Sequence, residues 1–535
     1  MPREAKHREP QVELVELRVL DGPNRFFTRP AVKVEFRSEV PGAASEVAAR
    51  AAVAVRRMTV ALDLPEPRIA TRDSVDRLRT AIAFPWRRRT ISQAVGAAAA
   101  RVALGRSTER RELGGLRAVA LGPLGHLPKP RIPIVAVTGT NGKSTTTRLI
   151  AHVAANAGRK VGMTNSDGIY VRGELVEAGD WTGFGGASRI LSESGLDLAV
   201  LETARGGILL RGIGYAANDV SVVTNVSADH LGLQGIDTVD ELAEVKGTIV
   251  RITKRDGWAV LNADDDRAWG MRRRTRANVY AFSMDPGSDR VERALDRGGR
   301  AAVLEDGIIV LRGAGRRPRR LGAAADLPVT VAGLSRYNIA NALAAAAACD
   351  ALGIPAPRIA RGLRSFASDA SANPGRLNLY ERGGVYVLID FAHNEAGLAG
   401  LLDVSRAIAG RRKVRLALGT AGDRTDEILR ALGVLAGSAN DLVIAEKRHY
   451  LRGRTLRAMN GLLRSGSRAG GYAGEIEAHP NEMTALRALL ARVGRGDVCA
   501  VMAHVERTEL FEWLEAEGYE PVSADRLRQL IGTAS

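Results

Sequence analysis

Residues 138–146 read Thr138-Gly139-Thr140-Asn141-Gly142-Lys143-Ser144-Thr145-Thr146. An apolar stretch, 132–137, precedes them, and Arg148-Leu149-Ile150-Ala151-His152-Val153 follows. The pattern predicts a strand, a glycine-rich turn and a helix. That arrangement turns backbone N–H groups and a helix N-terminus toward phosphate. Lys143 is placed to neutralise β- and γ-phosphates, and the Ser144 hydroxyl to ligate Mg²⁺. The strict P-loop pattern wants glycine where Val137 stands, so this turn is a variant of it.

Composition narrows the class. At about 150 residues per domain, 535 residues suggest three or four domains. A hydrophobic content of 45% supports sizeable cores. Cys349 and Cys499 lie far apart in Ala/Val surroundings, which suits buried thiols better than a disulfide or a metal site. The first residues lack the apolar run of a signal peptide. The most apolar stretch, 339–354, is too short and too interrupted to span a bilayer. These features predict a cytoplasmic protein without a membrane partner. The net charge of +17 raises nucleic acid as a partner. The arginines are spread along the chain, however, and aromatics are only 4%, so stacking platforms are scarce and nucleic acid is disfavoured. The runs 87–89, 272–276 and 316–320 read as solvated loops. There are nine lysines against 68 arginines, so Lys143 and Lys246 stand out as positions that need an amine.

Three regions follow. Residues 1–125 form an N-terminal α+β domain: 13–20 and 31–36 alternate apolar and polar as half-buried strands do, and 43–64 reads as a helix. A Gly/Pro-rich connector, 121–133, leads into the P-loop strand. Residues 126–375 form a central P-loop ATPase domain, with strands expected at 197–203, 220–226 and 258–261, a hairpin over 302–311 turning at Asp306-Gly307, and an Ala-rich helix over 337–352. Residues 376–535 alternate again, with strands at 385–391, 414–418, 442–446 and 498–503, as in a Rossmann-like α/β domain. The fold class is thus α/β, with a mostly parallel central sheet.

Polar residues stand where apolar strands end, the place open α/β sheets keep for ligands. Glu202 follows 198–201, and Asp229 and His230 follow 222–226. A carboxylate beside a P-loop suits Mg²⁺, and an imidazole suits a second metal. With these residues in hand, the chain resembles the Mur ligase superfamily. The resemblance rests on 138–146, Glu202 in Leu201-Glu202-Thr203-Ala204-Arg205-Gly206-Gly207, Thr224-Asn225, Asp229-His230-Leu231-Gly232, Lys246, Leu261-Asn262-Ala263-Asp264-Asp265, Gly333 with Asn338 and Asn341, Pro374-Gly375-Arg376 and Asp390-Phe391-Ala392-His393-Asn394. Within the superfamily it most resembles the C-terminal half of cyanophycin synthetase, through Asp167-Gly168-Ile169-Tyr170, 202–209, Gly422-Asp423-Arg424 and Arg452-Gly453-Arg454. Residues 20–24 resemble the start of that enzyme.

The resemblance implies an ATP-dependent ligase that joins an amino acid to a carboxylate of a peptide or polymer through an acyl phosphate. It implies ATP and Mg²⁺ as cofactors. Catalytic roles fall to Lys143, Glu202, His230, Lys246 and Arg376. Nucleotide contacts fall to Thr138, Gly139, Thr140, Asn141, Gly142, Lys143, Ser144 and Thr145, with Asn338 on adenine, Asp390 on ribose and Arg376 on the γ-phosphate. Metal contacts fall to Ser144, Glu202 and His230. In many members the lysine equivalent to Lys246 is carbamylated, which requires a neutral amine; the alternative is an ordinary lysine on phosphate or in solvent. For Asn262 and Asp265, ligand contact and a strand-ending turn stand as equals. Gly422-Asp423-Arg424, Glu446-Lys447 and His504 are candidates for the incoming amino acid, with Asp423 and Glu446 suited to a cationic one.

Three departures stand out. The stretch 91–130 is far too short for the ATP-grasp domain of cyanophycin synthetase, so one ATP site is expected and a separate ATP-grasp protein is a candidate partner. Tyr337 stands where many members have His, and Asn394-Glu395 where Asn/Thr-Pro is usual. A homo-oligomer is expected. The competing readings are a glutamate-chain ligase on a small cofactor such as a folate, and a non-catalytic ATP- or nucleic-acid-binding subunit.

Overall fold

The computed structural model describes residues 10–125, 127–128, 130–229, 231–523 and 525–529. His230 lies outside the described residues. Three sheets organise the chain. The first is a four-stranded antiparallel sheet in the order Val12–Leu20, Ala31–Ser38, Arg79–Pro85, Ala70–Asp73. Helices Ala43–Ala61 and Arg89–Ala103 cover it.

The second sheet has eleven strands. Its parallel centre runs Arg300–Glu305, Asn278–Ser283, Thr253–Asn262, Asn218–Val223, Ile134–Thr138, Leu198–Glu202, Val161–Thr164. Antiparallel strands close both margins. Helices on both faces explain why the central strands read as unbroken apolar runs. Val135, Val137, Val200 and Val222 pack on one face with helices Lys143–Asn156 and Arg336–Ala351. Their neighbours Ile134, Ala136, Leu201 and Val223 pack on the other. That is the two-residue period of a strand whose faces are both buried. The Ala-rich helix is buried on all sides, with 342–348 at 0% exposure, so its small side chains serve close packing.

Ile134–Thr138 sits where the strand order reverses, with Asn218–Val223 on one side and Leu198–Glu202 on the other. The crevice beyond the carboxyl ends of such strands is the ligand position in open α/β sheets. The helix after it is capped by Gly142, at φ +85°, and a Cβ there would stand 2.1 Å from Asn341 Oδ1. Gly142→Ala is therefore expected to cost about 1–3 kcal/mol from backbone strain alone. Denaturant unfolding checks this; a variant as stable as the parent would contradict it.

The third sheet runs Glu477–His479, Asp441–Ala445, Val414–Leu418, Val498–Met502, Val385–Asp390, then antiparallel Asn378–Arg382 and Glu520–Pro521. The expected α/β class with mostly parallel sheets is what the structure shows.

One detail differs from the sequence reading. The run 316–320 is no loop: it begins the outermost strand, Arg316–Ala323, of the large sheet. Charges suit an edge strand, which must repel further pairing. Arg319 also turns inward to Asp350 at 2.6 Å, beside Arg300 at 3.1 Å. The expected hairpin is present, with Asp306 and Gly307 both at positive φ, as a two-residue turn requires. Cys349 and Cys499 are free and buried. Among the described residues no helix is long and apolar enough to cross a membrane.

Candidate active site

The carboxyl ends of the two parallel sheets face one cavity of about 970 Å³. The glycine-rich turn enters it from the large sheet, and Thr140, Asn141, Gly142, Lys143, Ser144 and Thr145 line it. The next strand fixes the turn's shape. Asn225 Oδ1 accepts from Asn141 N at 2.9 Å, Thr224 Oγ1 donates to Asn141 O at 2.6 Å, and Ser227 N donates to Thr140 Oγ1 at 3.0 Å. Asn262 Nδ2 donates to Thr224 O at 2.7 Å, and Asp265 Oδ2 accepts from Val226 N at 2.8 Å. Asn262 and Asp265 thus brace the segment that braces the turn, and neither lines the cavity. Thr138 ends its strand buried, donating from Oγ1 to Thr203 O at 2.7 Å.

Lys143 opens its helix, and its Nζ donates to Thr140 O at 2.9 Å. Ser144 Oγ lies 3.3 Å from Ser166 Oγ and 3.5 Å from Arg376 Nη2. Glu202 ends Leu198–Glu202, buried at 3% exposure. Its Oε2 has no hydrogen-bond partner among the described residues. Burial raises its carboxyl above the usual range, while Lys143, Ser144 and Arg376 pull the other way. An orphaned carboxylate oxygen beside a hydroxyl is the donor set that a hard, oxygen-preferring cation takes, so the residues fit Mg²⁺. Among the described residues no group of three His, Cys, Asp or Glu stands ready to hold a metal by itself. Asp229, next to His230 in the chain, faces His393 Nε2 at 3.8 Å and Arg424 Nη2 at 3.6 Å.

Lys246 is the last residue of helix Val239–Lys246. It is buried, and its Nζ donates to Gly139 O. Burial holds the amine well below the ordinary lysine range, and nearby Lys143 pushes the same way. Arg376 reaches over from the third sheet's side. Its guanidinium lies 4.6 Å from the Phe391 ring centre and donates to Gly375 O at 3.2 Å. Asp390 ends Val385–Asp390 and accepts from Leu377 N at 2.9 Å. Burial pushes its carboxyl up to about 6, against the pull of Arg376.

The two sides meet through further contacts. Asn141 and Asn394 exchange amide hydrogen bonds of 3.2 and 2.9 Å, and Arg507 reaches Asp167 at 2.9 Å. Asn394 also caps helix Glu395–Ala409, accepting from Gly397 N at 3.0 Å. This explains the Asn-Glu pair: an Asn cap followed by an acid in the first turn suits a helix start. Tyr337 lines the cavity with its hydroxyl buried and unpartnered among the described residues. Asn338 does not line it: its Nδ2 donates to Val329 O at 2.8 Å and its Oδ1 accepts from Asn341 at 3.0 Å.

Of the two acids suited to a cationic amino acid, Asp423 lines the cavity and Glu446 does not. Asp423, Arg424, Lys447 and His504 line the cavity, but Glu446 turns away to Arg448 at 3.0 Å and Asn460 at 2.9 Å. Asp423 is matched by Arg424 at 3.1 Å and Arg452 at 3.2 Å. Past the strand end at Ala445, Glu446 turns from the cavity and Lys447 enters it. Ser166, Asp180 and Tyr450 also line the cavity without belonging to any motif the sequence offered a role for.

The chain has known relatives in sequence and in fold. Residues 137–349 match the Mur ligase middle domain, and residues 375–505 match the family described as Mur ligase, glutamate ligase domain. The two matches together cover more than half of the chain, and the chain belongs to the Mur ligase family, whose members are ATP-dependent ligases that use Mg²⁺. It is 42% identical over 336 residues to cyanophycin synthetase of Trichormus variabilis, across 63% of this chain and 37% of that protein. The chain therefore spans well under half of the length of that relative. It is 29% identical over 327 residues to the UDP-N-acetylmuramoyl-L-alanyl-D-glutamate–2,6-diaminopimelate ligase of Gloeobacter violaceus, across 59% and 61% of the two chains. In fold it is similar to E. coli FolC in complex with DHPP and ADP, with a TM-score of 0.53, 18% identity and coverage of 73% and 90%.

Proposed function

We propose that the chain is an ATP-dependent ligase that joins an amino acid to a carboxylate of an acidic peptide or polymer. The observation that carries it is the convergence of Lys143, Ser144, Glu202, Lys246 and Arg376 on one cavity between two sheets. The identity to cyanophycin synthetase favours a polymer acceptor over the folate-type reading, for which the likeness is one of fold alone.

In this reading ATP is the co-substrate, and the turn 138–145 is a P-loop. Phosphoryl transfer asks for positioning and charge neutralisation more than covalent help. Backbone N–H groups of the turn and the Lys143 ammonium hold the phosphates, and Arg376 clamps the γ-phosphate from the other side. Ser144 and Glu202, with His230, would hold Mg²⁺, which supplies further neutralisation of phosphate charge when bound. An acceptor carboxylate oxygen bonds to the γ-phosphorus, and the bond from that phosphorus to ADP breaks. The amine nitrogen of the amino acid then bonds to the acyl carbon, phosphate departs with its electron pair, and the amine loses a proton. The C-terminal wall around Arg424, Lys447 and Arg452 receives the amino acid.

The proposal extends to the assembly. Residues 1–125 serve as an acceptor-binding domain, 126–375 as the ATPase domain and 376–535 as the C-terminal ligase domain. The chain works as a homo-oligomer, and a separate ATP-grasp protein supplies the companion ligation.

Hydroxylamine tests the acyl phosphate directly. With ATP, Mg²⁺ and an aspartate-rich peptide, the protein is expected to form a hydroxamate on the peptide and ADP in equal amounts, and EDTA is expected to abolish both. ADP without hydroxamate would contradict an acyl phosphate.

A further inference from the structure

The turn 21–25 lies outside the cavity, yet it grips two segments that carry cavity residues. Its close approach needs glycine: a Cβ on Gly22 would stand 1.7 Å from Ile213 O. Asp21 N and Gly22 N both donate to Arg211 O, at 2.7 and 3.2 Å, and Ile213 N donates to Pro23 O at 2.8 Å. The Asp21 carboxylate pairs with Arg211 at 3.0 Å and with Arg89 at 3.1 Å. Residue 211 directly follows helix Arg205–Leu210, whose first residue lines the cavity.

Arg25 holds the second segment. Its Nη2 donates to Glu241 at 3.0 Å and its Nε to Glu244 at 2.9 Å. Both carboxylates lie on helix Val239–Lys246, three residues apart and so on one face. A planar guanidinium offers these two acceptors separate N–H donors held in a fixed fork, where an ammonium brings its donors to a single point. The side chains of Arg25, Glu241 and Glu244 are only 9%, 14% and 16% exposed, so solvent does little to screen the contact. Arg251 secures the turn from behind, donating to Asn24 O at 2.5 Å and Arg25 O at 3.1 Å. Two residues past Glu244 the helix ends at Lys246, whose Nζ meets the glycine turn at Gly139 O.

We propose that Arg25 is a positioning residue: by clamping Glu241 and Glu244 it sets where helix Val239–Lys246 presents Lys246 to the glycine turn, and so couples the N-terminal region to the chemistry. The inference rests on the ligase reading above. Among the described residues the side-chain hydrogen bonds of Arg25 go to Glu241 and Glu244, neither of which lines the cavity, so its loss is expected to show in kcat with ATP affinity kept.

The test uses the full chain, with ADP release read in the presence of ATP, Mg²⁺, an aspartate-rich peptide and arginine. A misplacement of about 1 Å costs up to about a hundredfold, so Arg25→Ala is expected to lower kcat at least about tenfold with the KM for ATP within about twofold. Arg25→Lys recovers part of the loss. Gly22→Ala, which removes no charge, gives the same split by displacing the turn. Circular dichroism confirms folding; if Arg25→Ala does not fold, Glu244→Gln takes its place with the same expected split. A kcat within twofold of the parent in the folded variant overturns the proposal, as does a rise in KM equal to the fall in kcat without recovery by lysine. Absence of ADP release from the unaltered protein overturns the ligase reading itself, and this inference with it.

Discussion

Lys143→Ala is expected to lower ADP formation at least about a thousandfold, close to 4 kcal/mol of transition-state stabilisation. The residue opens a helix whose N-terminal N–H groups already favour phosphate, and it brings a full charge to that point. Among the described residues its side chain makes one hydrogen bond, to Thr140 O at 2.9 Å, so its removal leaves the turn's braces at Asn225, Thr224 and Ser227 in place. The loss therefore belongs to the chemistry, and the fold persists. Initial rates with saturating ATP, alongside a thermal melt, check both halves. A variant that keeps a tenth of the parent rate would remove Lys143 from the mechanism.

Lys246→Ala is expected to cost at least about a hundredfold, the scale on which an oriented charged group contributes, and a short carboxylic acid is expected to restore part of it. The amine is buried, held well below the ordinary lysine range, and donates to a backbone carbonyl of the glycine turn. A neutral amine can add to carbon dioxide, forming an N–C bond and releasing a proton, and the resulting carboxylate is what the added acid replaces. The sign of the linkage gives a second readout. The unfolded lysine binds its proton up to about pH 10.4 while the folded one releases it earlier, so the site lowers stability at neutral pH and the cost fades as pH rises. Lys246→Met is accordingly expected to melt higher than the parent at neutral pH while losing activity. Full activity in the alanine variant without added acid would rule the carboxylate role out.

Much of the fold was legible because its central strands are apolar on both faces. Strand Val414–Leu418 has the bounds expected from the sequence, and Asp306-Gly307 announces its hairpin. The four-residue strands Val161–Thr164 and Gly168–Val171 and the exposed strand Glu174–Ala178 escaped, since four or five residues establish no period. The arginines of 316–323 look like a loop because an edge strand carries the same charges. In the site, the strand-end rule pointed to Glu202 and Asp229, which line the cavity, because position along a strand is local information, whereas Asp390 came from the family resemblance. It could not say which way Glu446 turns, nor that Asn141 meets Asn394 across 253 residues, nor that Arg25 reaches the helix of Lys246 across 219. Those contacts arise from how the sheets assemble, and no nearby residues encode them.

The most direct test of the central claim is ADP release by the purified protein with ATP and Mg²⁺, supplying acidic peptides and single amino acids separately and in pairs, with Lys143→Ala as control. The account predicts sustained release only when a carboxylate acceptor and an amino acid are both present, a peptide heavier by one residue, and neither in the control. ADP released at the same rate without any acceptor, or ATP bound with no release for any pair, would contradict it.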